Sequence, residues 1–165
     1  MRRWQKGFTL VELLVVLAIT GVIIAPLMLA TITLLTNPQR TTDRSIVLQQ
    51  IQNAGRWISR DIQMSGNVSA TAPRGFPLTI TIPVDDNPAN SYTIDYVFDG
   101  NKLIRREYNS THTLIGETLV SQYVDTNNTA FSPIATGIYK LSIKTVKDKA
   151  VVSTVYEIKQ RLASF

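Results

Sequence analysis

The run from Phe8 to Leu35 is apolar apart from small polar residues and one carboxylate, Glu12. At about 1.5 Å per residue, a helix over this run would be roughly 42 Å long, which is enough to cross a hydrocarbon core of about 30 Å. An ionised carboxylate costs about 2.5–3.5 kcal/mol to insert into hydrocarbon, so such a group usually has a function and a partner. The run therefore predicts a transmembrane helix with Glu12 as its functional residue.

The segment before this run, residues 1–7, is short and basic. It contains three cations: Arg2, Arg3 and Lys6. These cations should hold the N-terminus in the cytoplasm and send the C-terminus outward. Cleavage between Gly7 and Phe8 would create an α-amine at the head of the helix, and in an array of such helices this amine could pair with Glu12 of a neighbour. A secretory signal fits less well, because its apolar region has about 7–15 residues and ends in small residues.

The pattern K-G-F-T-L-V-E-L-L-V-V-L-A-I, which begins at Lys6, resembles the leader of type IV prepilins and type II secretion pseudopilins. The resemblance implies that prepilin peptidase cuts after Gly7 and methylates the new amine of Phe8. It also implies that Glu12 governs assembly with other pilins or pseudopilins on a platform in the inner membrane. A second segment, R-W-I-S-R-D-I-Q-M-S-G from Arg56, resembles the J-type minor pseudopilins and the large minor pilins.

Two other interpretations of the N-terminus stay open. Glu12 could merely snorkel to the membrane surface, since it lies only about 9 Å beyond Lys6 along a helix. The apolar run could also be a signal anchor that is never cut, which would make the protein a single-pass membrane-anchored binding domain outside the cytoplasm. If the leader is cut, the subunit could belong to a type II secretion pseudopilus, a type IV pilus or a competence pilus.

Charge and cysteine content limit the possible functions. The formal net charge is +5, but removing residues 1–7 takes three of the 17 Lys and Arg and none of the 12 Asp and Glu, which leaves 14 − 12 = +2. So small a charge argues against nucleic-acid binding as the main function. The chain has no cysteine, which excludes a disulfide, a thiol nucleophile and a Cys-ligated metal. Many pilins close a C-terminal loop with a disulfide, and this chain departs from that pattern.

Residues 8–35 form the predicted assembly helix, and residues 36–66 predict an amphipathic helix that continues into a soluble domain. Its apolar positions recur at helical spacing on one face. These positions are Val47, Ile51, Ala54, Ile58 and Ile62. A break is expected at Asn37, because Pro38 disfavours helical geometry in the residue before it. Gly66-Asn67 is a predicted C-cap that ends the helix.

Residues 67–165 predict a β-rich globular domain. Its predicted strands are 78–82, 92–98, 102–108, 118–124, 138–146 and 151–162. The turn residues Asp99–Asn101 and Lys147–Ala150 predict two hairpins, and Leu78–Ile82, which lies between two prolines, predicts a short edge strand. Helices first and antiparallel strands after indicate an α+β, pilin-like fold in which the long N-terminal helix packs its apolar stripe on one sheet face.

This domain holds few residues that could carry chemistry. His112 lies between two threonines, which predicts a solvated loop residue rather than a catalyst or a metal ligand. Four residues could offer oxygen atoms to calcium, which some pilins bind, but their spacing is not that of an EF-hand loop, so we expect a polar turn and no cofactor. They are Asp85, Asp86, Asn87 and Asp95. The sequence carries no readable catalytic motif and predicts a structural protein rather than an enzyme.

Basic residues are frequent on the two predicted hairpins. They could bind DNA in an uptake pilus, but lysines on exposed strands also commonly prevent aggregation, and we favour that interpretation. The residues are Lys102, Arg105, Arg106, Lys140, Lys144, Lys147, Lys149, Lys159 and Arg161.

Overall fold

The computed structural model describes residues 9–36, 38–85 and 90–161. Two helices come first, α1 (Leu10–Thr36) and α2 (Pro38–Gln63). The strands that follow are β1 (Asn67–Ala70), β2 (Leu78–Pro83), β3 (Ser91–Asp99), β4 (Lys102–Tyr108), β5 (Leu114–Ser121), β6 (Ala130–Ala135), β7 (Ile138–Lys147) and β8 (Ala150–Lys159). The fold is α+β, as the sequence predicts, and the chain divides into two compact units, residues 1–41 and residues 42–165.

Helix α1 is apolar along its length. The stretch Leu10–Leu35 has a mean hydropathy of 2.8, and none of it is buried within the structure, so by length and composition it could cross a membrane. Thr20, Thr31 and Thr33 each donate a hydroxyl hydrogen bond to the carbonyl oxygen four residues earlier, at 2.7–2.8 Å. These hydroxyls therefore need no further partner in hydrocarbon. Asn37, where we predict a break, lies outside the described residues.

The apolar stripe of α2 is confirmed, and it packs against more than one sheet. All five stripe residues are at most 1% exposed. The strands form one sheet in the order β1-β2-β3-β4-β5 and a second in the order β6-β7-β8. One buried cluster joins the stripe to Ile80 and Ile94 of the first sheet and to Leu141 and Ile143 of the second. The expected packing on one sheet face is therefore incomplete, since both sheets build the core.

The predicted C-cap of α2 at Gly66-Asn67 is wrong. Gly66 does not adopt a left-handed conformation, and its N–H donates to the carbonyl oxygen of Thr81 in β2 at 2.9 Å, while Asn67 already begins β1. The helix ends at Gln63, and the N–H and hydroxyl of Ser65, two residues later, both donate to the carbonyl oxygen of Ile62, at 3.1 and 2.7 Å. Ser65 thus satisfies a carbonyl group in the last turn of the helix, and Gly66 donates to the first sheet.

Both predicted hairpins are confirmed. Gly100 joins β3 to β4 at a φ of 57°, and Asp148 joins β7 to β8 at a φ of 51°. Positive φ values are what two-residue hairpin turns require. The strand predicted at 118–124 corresponds to β5, which begins four residues earlier, at Leu114. The strands β1 and β6 have no counterpart among the predicted strands.

The expected edge position of Leu78–Ile82 is wrong, because β2 lies between β1 and β3. Proline next to a strand suggests an edge, since it lacks a donor for the neighbouring ladder. Here the register pairs Thr81 with Asn67, the first residue of β1. Pro83 therefore lies past the end of that ladder and removes no hydrogen bond from it.

Candidate functional site

The first turn of α1 places Glu12 in a setting that suits a carboxylate. Thr9 precedes the helix, and its Oγ1 accepts a hydrogen bond from the N–H of Glu12 at 3.3 Å. Thr9 is thus the N-cap, and the spacing Thr9-x-x-Glu12 is that of a capping box. The helix dipole favours negative charge in this turn. Sequence analysis treated Glu12 only as a charge in hydrocarbon and overlooked this local role, although the spacing is readable.

Helix α1 offers Glu12 no cation of its own. Residues 9–36 contain no lysine and no arginine, and Glu12 is exposed. Gly7 and Phe8, between which we predict cleavage, lie outside the described residues. The pairing of Glu12 with the α-amine of a neighbouring Phe8 therefore stays a prediction.

A second carboxylate, Asp61, is buried near the C-terminal end of α2. It is 0% exposed and accepts hydrogen bonds from the hydroxyl of Tyr96 at 2.7 Å and from Nε of Arg105 at 2.8 Å. Nη1 of Arg105 also donates to Glu107 at 2.8 Å. Because Tyr96 lies in β3 and Arg105 in β4, this network, which we call the Asp61 network, ties α2 to the first sheet.

The Asp61 network keeps its donors protonated. Burial raises the pKa of Tyr96, and the negative charge of Asp61 raises it further. Burial alone would lower the pKa of Arg105, but hydrogen bonds to Asp61 and Glu107 outweigh that effect and raise the pKa. Tyr96 therefore stays neutral and Arg105 stays charged at ordinary pH, so the buried carboxylate keeps these two donors. The ring centroid of Trp57 lies 5.4 Å from the guanidinium carbon of Arg105 and shields the pair further.

Sequence analysis overlooked Asp61, because a charged residue on an amphipathic helix is ordinarily assigned to the solvent face. The signal is present in the spacing, since Val47, Ala54 and Asp61 follow one another at intervals of seven and share the buried face. A carboxylate on such a face requires buried donors. Asp61 in the segment Arg56–Gly66 therefore has a structural role.

The second sheet bonds directly to the backbone of α2. The hydroxyl of Thr145 donates to the carbonyl oxygen of Val47 at 3.1 Å, and the hydroxyl of Tyr156 donates to that of Ile51 at 3.3 Å. Gly55 allows the Tyr156 ring to lie against the helix, because a Cβ at that position would overlap the ring. These bonds and the Asp61 network hold α2 to both sheets along most of its length.

The four residues considered as possible oxygen ligands for calcium do not come together where the structure describes them. Asp86 and Asn87 lie outside the described residues. Asp95 accepts a hydrogen bond from Thr79 at 2.7 Å in the middle of β3. It lies four positions after Ser91, which pairs with Pro83. Pro83 is the last residue of β2 before the turn that contains Asp85. Since four residues of strand span about 13 Å, Asp95 is too far along the strand to share an ion with Asp85.

Two further places in the domain carry polar or aromatic side chains. His112 is exposed in the β4–β5 loop and stacks on Tyr108 with ring centroids 4.8 Å apart. A cavity of about 520 Å³ opens between β1 and β6, and its polar side chains include Tyr139 and Gln160. The residues described as lining it are all uncharged, so they do not supply a catalytic acid–base pair.

Four of the basic residues on the hairpins are paired within the chain. Arg105 belongs to the Asp61 network. Three others are bonded to carboxylates: Arg106 to Glu117 at 2.9 Å, Lys144 to Asp125 at 3.1 Å and Lys147 to Asp43 at 2.7 Å. A phosphate-binding surface needs cations that are free to exchange their counterions. The pairing therefore weakens the case for a nucleic-acid partner.

Comparison with known proteins bears on the N-terminus. Residues 4–28 match the family model of the prokaryotic N-terminal methylation motif. No curated protein and no solved structure matches the chain. The matched motif is that of prepilin-type proteins, which supports a place among the pilins and pseudopilins, a group of structural rather than catalytic proteins. It implies processing by prepilin peptidase and assembly with other pilins in general terms.

Proposed function

We propose that this protein is a minor pseudopilin or minor pilin, similar to the J-type pseudopilins, that assembles into a fibre through its N-terminal helix. The observation that carries the proposal is the methylation motif at residues 4–28, which includes the predicted processing and assembly positions and continues into the apolar helix α1. A type II secretion pseudopilus is the first candidate, because the segment Arg56–Gly66 resembles its J-type subunit. A type IV pilus, including a competence pilus, is the second.

Processing comes first in this proposal. Prepilin peptidase cuts between Gly7 and Phe8 and methylates the new α-amine of Phe8. Removal of the leader takes away all three of its cations and leaves one new charge, the amine, at the head of the apolar segment. That amine is the cation that α1 itself does not provide for Glu12.

Assembly follows from the pairing of these two groups between neighbouring subunits. An isolated carboxylate and an isolated amine are each costly in hydrocarbon, and bringing them together removes two unpaired charges at once. The apolar surface of α1 can then exchange lipid contacts for contacts with other helices. Glu12 would therefore favour assembly over free diffusion in the membrane.

The remaining parts follow from the direction of insertion. The cations of the leader place the N-terminus in the cytoplasm and the β-rich domain outside it. Before assembly, the protein is a single-pass protein of the inner membrane. The assembly platform of the inner membrane and the other pilins would be the partners of α1. Both sheets pack against α2, so α2 would connect the helix in the fibre to the domain on the fibre surface.

Substitution of Glu12 tests the assembly step. Glu12→Gln retains a residue type that suits a capping box but removes the charge, so insertion and cleavage should persist while cross-linking between subunits in membranes falls. Thr31→Ala, which changes a polar residue elsewhere on the same helix, should leave cross-linking unchanged. Equal cross-linking of wild type and Glu12→Gln would mean that Glu12 only caps the helix or snorkels.

Substitution of Gly7 tests the processing step. A peptidase that must approach the backbone closely would be hindered by a β-branched side chain, so Gly7→Val should remain full length in the membrane. Normal cleavage of Gly7→Val would favour the alternative, a membrane-anchored binding domain that is never processed by this route.

A further inference from the structure

The turn between β7 and β8 lies beside the beginning of the soluble unit. Nζ of Lys147 is 2.7 Å from Oδ1 of Asp43 and 5.5 Å from the ring centroid of Tyr123. Asp43 follows Leu35, the last residue of the apolar stretch, by only 43 − 35 = 8 residues. Even a fully extended chain of that length spans no more than about 29 Å. The hairpin tip is therefore joined to the apolar stretch by no more than this length of chain, whichever way the domain turns.

This tip is basic. Lys149 is exposed in the turn, and Arg44 is exposed on the first part of α2. Lys147 is held by Asp43, and the hydrogen bond between them raises the pKa of the lysine. With Asp43 and Asp148 included, the tip has three basic and two acidic residues, or 3 − 2 = +1.

The same tip also exposes apolar side chains. Val146 and Val151 face each other across β7 and β8, and they are 36% and 55% exposed. The ring of Tyr123 is half-buried beside Lys147. If the lysines served only to prevent aggregation, they would not need a pair of exposed valines next to them. Cations mixed with small apolar and aromatic side chains suit the boundary between lipid headgroups and acyl chains.

We propose that this tip, formed by residues 146–151, Tyr123 and Arg44, is a lipid-contact surface that binds anionic headgroups on the extracytoplasmic face of the membrane. Arg44 and Lys149 attract the phosphate groups, and Val146 and Val151 lie at the headgroup level. The proposal rests on the proposed function, because it requires that α1 spans the membrane. Its consequence is that the unassembled subunit keeps its domain against the bilayer, and that leaving the membrane for the fibre breaks this contact.

Lipid quenching of a fluorophore tests the contact on the full chain. The protein has no cysteine, so Ala150→Cys at the tip and Ser110→Cys in the β4–β5 loop can each be labelled at one position. The β4–β5 loop follows β4, whose Arg105 contacts the C-terminal end of α2 at Asp61, whereas the tip contacts the first turns of α2. Each labelled protein is reconstituted into vesicles of phosphatidylcholine with a headgroup spin-labelled lipid, with and without phosphatidylglycerol.

We expect quenching to be several-fold stronger at position 150 than at position 110 in vesicles with phosphatidylglycerol. It should weaken in phosphatidylcholine alone and in 1 M salt, where the screening length falls to about 3 Å. Arg44→Glu with Lys149→Glu should reduce it in the same way. Lys159→Glu with Arg161→Glu, which makes the same change of charge at exposed sites around the other end of β8, should not.

Equal quenching at the two positions would overturn the proposal. So would quenching at position 150 that responds neither to the anionic lipid nor to Arg44→Glu with Lys149→Glu. Flotation of the vesicles separates this result from a failure of the proposed function. A chain that does not float with vesicles does not span them, whereas a chain that floats without selective quenching at position 150 refutes only the lipid contact.

Discussion

Removal of the Asp61 carboxylate should destabilise the domain more than any single surface change. Asp61→Leu leaves Arg105, whose side chain is only 9% exposed, without its buried partner. Breaking a buried pair by removing one member costs about 3–5 kcal/mol, a large share of the roughly 5–15 kcal/mol that keeps a domain folded. Arg105→Met should cost a similar amount, because it leaves the buried carboxylate with the Tyr96 hydroxyl and the guanidinium of Arg60, which is 53% exposed and lies 3.4 Å away.

The double variant Asp61→Leu/Arg105→Met separates the worth of the pair from the penalty of an unpaired charge. It removes both charges and fills the space with apolar atoms, so it should recover much of the stability that each single variant loses. Urea unfolding of a fragment that begins at Gln39 measures each free energy of unfolding. Arg106→Met, which breaks an exposed pair whose side chains are 39% and 47% exposed, is the control and should change the free energy of unfolding far less, because exposed ion pairs contribute little to stability. Additive losses in the double variant, or a loss below about 1 kcal/mol for Asp61→Leu, would refute the argument.

Three further predictions concern the same fragment. Ile58→Asp places a charge at a fully buried position and should cost several kcal/mol. Arg60→Ala removes a side chain that is 53% exposed and reaches Asp61 only at 3.4 Å, so it should melt near the parent temperature. The reverse order would contradict the packing of α2. Gly55→Ala should lower the melting temperature and Gly116→Ala should not, since a Cβ at position 55 would overlap the Tyr156 ring, whereas one at position 116 would lie 4.0 Å from the Cβ of Glu107. The pKa of Tyr96 is raised above 10.0, so the folded state keeps a proton that the unfolded state loses, and stability should fall above pH 10 by up to about 1.4 kcal/mol per pH unit. Tyr96→Phe should flatten that decline, and an unchanged slope would contradict the assignment.

The sequence predicted those parts of the fold that local pattern controls. The stripe from Val47 to Ile62 has helical spacing, and burial of all its members follows from that spacing alone. The two hairpins follow from turn residues that tolerate positive φ, such as Gly100. These signals are contained in a few neighbouring residues, and no knowledge of the rest of the chain is needed to use them.

Features that depend on distant partners could not be predicted in the same way. The role of Asp61 requires Tyr96 and Arg105, which follow it by 35 and 44 positions. The division into two sheets and the internal position of β2 depend on β1, a strand of four residues without a clear alternating pattern. The residues around Gly66 predict a helix cap, because its hydrogen-bond partner in the sheet, Thr81, cannot be inferred from the sequence of the helix alone.

The central claim is that this chain is processed and assembled as a pilin or pseudopilin, and the mass of the mature N-terminus tests it most directly. The full chain is expressed in cells that contain a prepilin peptidase, purified from membranes and digested, and its N-terminal peptide is measured by mass spectrometry. The account predicts a peptide that begins at Phe8 and carries one methyl group on its α-amine. A peptide that begins at Met1 would contradict it and would leave the protein as a membrane-anchored domain.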